Sequence, residues 1–271
     1  MTLLAGTALF INGCNNQTLP TTGGSSEKGN GESTKRTTWH WQLQGPLNTS
    51  YKVELYDIDL FDTDPNTIAS LKQSGKTVIC YFSAGSYEDW RPDADAFPNS
   101  ALGNELDGWG GERWLDIRDD TVKNIMLSRL DLAKKKGCDG VEPDNVDGYS
   151  NDNGLGLTPN DQLAYNKFLA TEAKKRGLQV GLKNDLEQVQ ELEPFFDFSL
   201  NEQCHIYEEC DMLLPFIRHN KPVLNAEYAK AYVNNTNGAR DALCAESKAM
   251  GLSTLILPKA LDGSFRYSCD E

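Results

Sequence analysis

Residues 138 to 147, Cys-Asp-Gly-Val-Glu-Pro-Asp-Asn-Val-Asp, run from the end of a basic helical segment through a glycine into a short apolar stretch that finishes in carboxylates. In a strand Glu142 and Asp144 project from one face, because side chains alternate with period two, and Asp147 falls in the loop beyond. Carboxylates crowded in this way push one another's pKa values apart, which acid/base and nucleophilic chemistry requires. The competing reading has them capping the next helix or pairing with Lys and Arg. A structural or catalytic zinc is not expected, because no CxxC occurs and His40, His205 and His219 stand in no metal-ligand spacing. The partner carboxylate for such chemistry must come from another strand, so the architecture of the whole chain decides the matter.

The chain has 271 residues, 39% apolar and 24% charged. That is enough for one large core, and α/β barrels of about 250 residues are a common single-domain solution at this size. Lys and Arg total 26 against 40 Asp and Glu, a net charge of -14. This balance repels nucleic acid and anionic lipid surfaces and attracts cations, so a polycationic substrate is physically sensible. Solubility is the other purpose that such acidity serves.

Residues 1–14 form an apolar run of signal-peptide length, too short to span a bilayer. Export to a secreted or cell-surface location is therefore expected. Gly13-Cys14 resembles the end of a bacterial lipobox, which would make Cys14 a lipid-bearing membrane tether, although Asn12 is an unusual neighbour and no basic residues precede the run. Residues 15–38, rich in Thr, Gly, Ser and Asn, read as a flexible linker, and residues 39–271 as the folded domain. Setting Cys14 aside leaves six of the seven cysteines, an even number suited to disulfides in an oxidising compartment. Cys204 with Cys210 would close a small loop and Cys244 with Cys269 would pin the tail, leaving Cys80 with Cys138. Spacing alone does not choose among the fifteen pairings that six cysteines permit.

From residue 39 a pattern repeats. Helical segments end in glycine at Gly75, Gly137, Gly177 and Gly251, and each is followed within a few residues by an apolar strand, as in buried parallel sheets. The segment from Thr158 to Arg176 shows Thr158 as N-cap, Pro159 in the first turn, Asp161 completing a capping box and a basic end. Thr121 to Lys136 carries Val122, Ile125, Met126, Leu130 and Ala133 at helical spacing. Strands are expected at 53–57, 77–82, 113–117, 140–144, 179–183, 196–202, 222–227 and 253–257. Eight strands alternating with helices imply a (β/α)8 barrel in one domain, with residues 39–44 as an extra N-terminal strand closing the bottom or an edge. A doubly wound open sheet is the alternative, but no GxGxxG or P-loop marks a nucleotide site.

Barrel active sites lie at the carboxyl ends of the strands, so the polar residues where each apolar run stops are the candidates. They include Asp57, Asp59, Ser83, Asp116, Arg118, Asp144, Asn145, Lys183, Asn184, Asp185, Glu202, Glu227, Tyr228 and Lys259. Tyr81, Tyr87, Trp90 and Trp109 stand in or near the loops, where flat rings stack on sugars.

The ordered set Cys-Tyr-Phe-Ser-Ala-Gly (80–85), Glu88-Asp89-Trp90-Arg91-Pro92, Trp114-Leu115-Asp116-Ile117-Arg118, Gly140 to Asp147, Gly181-Leu182-Lys183-Asn184-Asp185 and Asn201-Glu202-Gln203-Cys204 resembles glycoside hydrolase family 114, the endo-α-1,4-polygalactosaminidases. The resemblance runs from about Trp39 to Lys259. It implies a (β/α)8 barrel that hydrolyses α-1,4-linked galactosamine-rich polysaccharide, with catalytic carboxylates at the positions of Asp144 and Glu202.

Glycoside cleavage needs one carboxylic acid, one carboxylate and no cofactor. Asp144 is assigned as nucleophile or base and Glu202 as general acid. Asp57, Asp59, Tyr81, Ser83, Asp116, Arg118, Asn145, Asp147, Lys183, Asn184, Asp185, Glu227 and Tyr228 are assigned to substrate binding, the acids as ligands for ammonium or hydroxyl groups. A monomer acting on cationic or neutral polysaccharide is expected, with retention of configuration. Another α-glycosidase on the same barrel, or a non-catalytic carbohydrate-binding barrel, are the rival readings; the second would lack one of the two carboxylates.

Overall fold

Capped helices alternate with buried strands through residues 36–271, the part of the chain that the computed structural model describes. The signal-like segment, Cys14 and nearly all of the linker lie outside the described residues. In chain order the elements are β1 (Trp39–Gln42), β2 (Leu55–Asp59), α1 (Pro65–Gln73), β3 (Thr77–Ser83), β4 (Ser86–Glu88), β5 (Leu102–Glu105), β6 (Glu112–Leu115), α2 (Asp120–Lys136) and β7 (Gly140–Asp144). They continue as α3 (Pro159–Lys175), β8 (Gln179–Lys183), α4 (Val189–Leu192), β9 (Phe198–Glu202), α5 (Leu214–Arg218), β10 (Val223–Glu227), α6 (Lys230–Val233), α7 (Ala239–Met250), β11 (Ser253–Ile256) and β12 (Tyr267–Ser268), with short 3-10 turns between.

Local chemistry sets the helix ends. Asp119 accepts from the backbone of Thr121 and Val122 to start α2, and Gly137 stops it at φ 89°, where a side chain would be strained. In α3 the Thr158–Asp161 capping box is complete, as the sequence predicts. Among the described residues no helix is long and apolar enough to cross a membrane.

Eight strands, β1, β2, β3, β7, β8, β9, β10 and β11, pair in parallel in that order, and β12 adds antiparallel to β11. The two ends of this curled sheet meet where Trp39 Nε1 donates to Ser253 O (3.0 Å) and Arg266 donates to Trp39 O (2.7 Å). Two expectations need correction. Residues 39–42 are not an extra strand but the first strand of the barrel, in register with β2 from Trp39↔Leu55 to Gln42↔Ile58. Residues 113–117, expected as the third barrel strand, instead contribute to β6, the middle of a separate antiparallel sheet between β4 and β5. Pairing separates the two: β1 is fully covered and runs parallel to β2, whereas β6 runs antiparallel to both of its neighbours and its Arg113 turns back to Gly103 O (2.6 Å). One gain and one loss leave Asp144 and Glu202 on the fourth and sixth barrel strands.

Register decides which side chains look inward. Asp57 lies beside Trp41 and Ile79, Glu142 beside Tyr81, Asp144 beside Ser83, Lys183 beside Leu200, and Glu202 beside Ala226. Trp39, Trp41, Leu55, Ile79, Phe198, Leu200, Leu224 and Leu255 fill the same interior face as an apolar cluster. Disulfides join Cys80 to Cys138, Cys204 to Cys210 and Cys244 to Cys269. The first ties β3 to the turn after α2, and the last pins the tail to α7. Each of these two long loops contributes about 3–4 kcal/mol by the loop-entropy argument.

Candidate active site

Lys183, at the end of β8, is 1% exposed, and its ammonium stands 2.8 Å from Glu142 Oε1, 3.2 Å from Asp144 Oδ1 and 3.3 Å from Glu202 Oε2. It also lies 4.6 Å from the centre of the Trp41 ring. Burial alone would pull its pKa down, but Asp144, Glu142 and Glu202 outweigh burial and hold it well above the usual lysine value. Three strands thus deliver two rim carboxylates to one fixed cation.

Each rim carboxylate has a phenol of its own. Tyr81 donates to Asp144 Oδ2 (3.0 Å), and Tyr228 donates to Glu202 Oε1. The backbone N–H of Asn145 reaches Asp144 Oδ1 (2.7 Å), and the backbone N–H of Glu202 donates to Asn184 Oδ1 (3.0 Å). The residues that follow the three charged positions, Asn145 (φ 58°), Asn184 (φ 46°) and Gln203 (φ 61°), all adopt left-handed backbone. That conformation costs a non-glycine residue about 1–2 kcal/mol, and such positions gather at functional sites. Asn145 is held there by Ser83 Oγ (2.9 Å) and Ser86 Oγ (3.1 Å), and Ser86 in turn donates to Glu112 Oε2 (2.8 Å). Gly85 permits this contact, since a Cβ there would sit 1.7 Å from Asn145 O.

A cleft of about 800 Å³ opens above. Trp41, Tyr81, Asp144, Lys183 and Glu202 line its floor. One wall comes from the small sheet and its loops, which present Trp90, Glu105, Asp107, Trp109, Glu112 and Trp114, with Asn151 and Asp152 nearby; Lys259 and Leu261 line it from the loop after β11. Trp90 (52%) and Trp109 (42%) are among the most exposed large apolar side chains, and Lys259 Nζ stands 5.3 Å from the centre of the Trp109 ring. The wall is pinned to the barrel by Arg91, which grips Asp59 through two bonds (2.7 and 3.1 Å) and Glu88 through one (2.8 Å). The guanidinium groups of Arg91 and Arg129 both lie over the Phe61 ring, 4.8 and 5.0 Å from its centre.

Of the residues expected to bind substrate, Asp59, Tyr81, Asn145, Asp147, Lys183 and Asn184 do line the cleft. Asp59, however, is saturated by Arg91 and by the backbone of Phe61 and Asp62. Tyr228 reaches the site through Glu202. The others are placed elsewhere. Asp57 is fully buried below the rim, and Ser83 is enclosed in the hydrogen-bond chain to Asn145. Asp116 and Arg118 pair with each other (2.8 Å), beyond β6. Asp185 is buried against Asn166 (2.8 Å). Glu227 is one residue out of phase with the interior face and accepts from the backbone of His205 (2.9 Å). Tyr87 packs edge-on against Phe97 rather than facing the cleft. Burial raises Asp57 and Asp185 to about 7 and Glu227 and Asp147 to about 6.

Glu105, Asp107, Glu112 and Trp114 escape a reading that collects only strand ends, because they come from the excursion between β3 and α2. The local cue was the density of Asp, Glu and Trp through residues 105–114. Burial, opposed by the Ser86 hydrogen bond and reinforced by Glu88 and Asp144, lifts Glu112 to about 7. Among the described residues one group combines metal-ligand types at close range, Cys204, His205 and Cys210, and its two sulfurs are joined as a disulfide.

The model of glycoside-hydrolase family GH114 matches residues 21–271. No curated protein matches the chain. Among solved structures, that of Aspergillus fumigatus Ega3 in complex with galactosamine is 46% identical, with a TM-score of 0.80 over 86% of this chain and 95% of that one. The glycoside hydrolase domain of Pseudomonas aeruginosa PelA is 17% identical, with a TM-score of 0.65 over 84% of this chain and 96% of that one, a likeness of fold. A barrel whose rim sets two carboxylates about one lysine, matched by the family along almost its whole length, places the chain in glycoside hydrolase family 114 and makes it a glycosidase.

Proposed function

We propose that the chain is an endo-acting hydrolase of α-1,4-linked, galactosamine-rich polysaccharide, with Asp144 as nucleophile and Glu202 as general acid and base. The observation that carries this reading is the shared lysine: legs of 3.2 and 3.3 Å from one ammonium hold Asp144 Oδ1 and Glu202 Oε2 within reach of a single glycosidic bond. Those legs cap the separation of the two lysine-bound oxygens at about 6.5 Å, which accommodates the short spacing that direct attack and retention require. Glu202 gives its proton to the glycosidic oxygen while Asp144 attacks C1, so that the C1–O bond breaks as the glycosyl ester forms. Water then attacks C1 and yields its proton to Glu202, and Asp144 leaves as carboxylate. Tyr81 and the N–H of Asn145 aim the Asp144 oxygens throughout.

The substrate class is supported by the cleft's surplus of carboxylates, by its exposed tryptophans and by the galactosamine in the Ega3 complex. Amino sugars lacking acetyl groups are cations, which acidic walls and indole faces both attract. Three disulfides suit an extracellular setting. Partly deacetylated polygalactosamine offered beside neutral galactan tests the reading. Internal cleavage of the first and not the second is expected, with the α-anomer released initially by proton NMR. Equal cleavage of neutral galactan would overturn the substrate class, and initial β-anomer would turn Asp144 into the base that activates water.

A further inference from the structure

Beneath the rim, two carboxyls remain that the mechanism above does not use. Asp57 and Glu142 come from β2 and β7, the strands on either side of β3, and both are 0% exposed. Glu142 spends one oxygen on Lys183 (2.8 Å), and neither its other oxygen nor either oxygen of Asp57 makes a well-formed bond to an N–H or hydroxyl donor. In register Asp57 is flanked by Trp41 and Ile79, both buried, so no water-facing route relieves it. The groups that face it are Glu142, Lys183, Asp144 and the backbone N–H of Ile58, and Asp57 and Glu142 lie within hydrogen-bonding reach of each other. Two carboxylates repel; two carboxyls can hydrogen-bond only when one carries a proton. Around the single ammonium of Lys183 the cluster holds four carboxyls, Asp57, Glu142, Asp144 and Glu202, so full ionisation would set four negative charges against one positive, with those of Asp57 and Glu142 in a dry interior.

We propose that Asp57 and Glu142 hold one proton between them and serve as positioning residues, a singly charged floor that keeps the Lys183 ammonium between Asp144 and Glu202. The inference rests on the roles assigned above to those two rim residues. With one negative charge below and the Asp144 carboxylate above, Lys183 stays within 3.3 Å of both reacting carboxyls. Were the floor to lose its proton, the pull from below would double, and Lys183 would sink away from the pair. Burial, first, and the neighbouring carboxylate, second, raise Glu142 well above its usual value, which agrees with a retained proton.

Asp57→Asn is the decisive variant, because its amide still donates to Glu142 and cannot ionise. Its kcat at mildly acidic pH is expected to stay within about threefold of wild type, whereas the alkaline fall of kcat moves to higher pH or disappears and KM is unchanged. Asp57→Ala, which leaves Glu142 without its donor, loses about tenfold or more in kcat. Infrared difference spectra between wild type and Asp57→Asn read the proton directly, as a protonated-carboxyl stretch that the variant lacks. An alkaline limb identical to wild type, an Asp57→Asn enzyme as slow as Asp57→Ala, or no lost carboxyl band would each overturn the proposal. Asp144→Asn and Glu202→Gln, run in parallel, keep the two readings apart: should those enzymes stay active, the rim assignment falls, while the infrared band still judges the shared proton.

Discussion

Tyr81 donates its hydroxyl hydrogen to Asp144 Oδ2 across 3.0 Å, linking β3 to β7 at the mouth of the barrel. Hydrogen bonds to charged groups contribute about 1.5–3 kcal/mol, so Tyr81→Phe is expected to lower kcat by about 10- to 100-fold with KM little changed. An equal rise in KM, with kcat kept, would show instead that Tyr81 binds sugar.

Asp144→Asn and Glu202→Gln should each fold, with melting temperatures near wild type, and lose about 100- to 10,000-fold in kcat, the usual range for acid/base assistance. Glu142→Gln is the control for strand phase, since it projects from the same face as Asp144 two residues earlier. Its loss should be smaller than that of Asp144→Asn. The reverse order would move the nucleophile to Glu142.

Lys259 and Trp109 meet across the cleft at 5.3 Å. Trp109→Ala is expected to raise KM for the cationic polymer by about 3- to 30-fold, the value of a cation on an indole face, while kcat is kept. Lys259→Met, which removes a resident ammonium from that face, should lower KM for the same polymer. Steady-state kinetics decide, and an unchanged KM in both variants would remove the Trp109 face from the binding path.

Stability should decline as pH rises from about 4 to about 7. Asp57, Asp185 and Glu112 are raised to about 7, and Asp147 and Glu227 to about 6, in each case first by burial. Unfolded, such groups ionise near about 4, so across that window the native chain binds more protons than the unfolded one. Their contribution is complete below the unfolded value and lost as pH climbs through the folded ones. His40, driven down to about 4 by burial, and His205, lowered likewise, work in the opposite sense but are fewer. Calorimetric melts at constant ionic strength should fall in temperature from pH 5 to pH 8; a rise across that range would contradict the assignment.

Much of this was legible in the sequence. Glycine-stopped helices before apolar runs gave the barrel, and the count of eight strands held although one member was misplaced. What betrayed residues 113–117 was length without context: Glu112–Leu115 is apolar enough for a barrel strand, and only its pairing with β4 and β5 says otherwise. At the site, Asp144 and Glu202 were visible as strand ends, but Asp57 and Glu227 show the limit of that rule. The first stops one layer too deep, and the second points to the other face of its strand. The role of Lys183 as a bridge depends on three strands meeting in space, which no local spacing encodes. Cys80–Cys138 was one pairing among many until β3 and the turn after α2 were seen side by side.

The small sheet has a consequence for how this enzyme diverges. Lys183 and the two rim carboxylates it bridges come from β7, β8 and β9, whereas the acidic, tryptophan-bearing wall is one uninterrupted stretch, residues 86–115, inserted between β3 and α2. Heritable variation can therefore retune which polymer is gripped by rewriting a single cassette, anchored at Asp59 through Arg91, provided that Ser86 and Glu112, which brace Asn145, are kept. Lineages that share this barrel should differ first, and most, inside that insert.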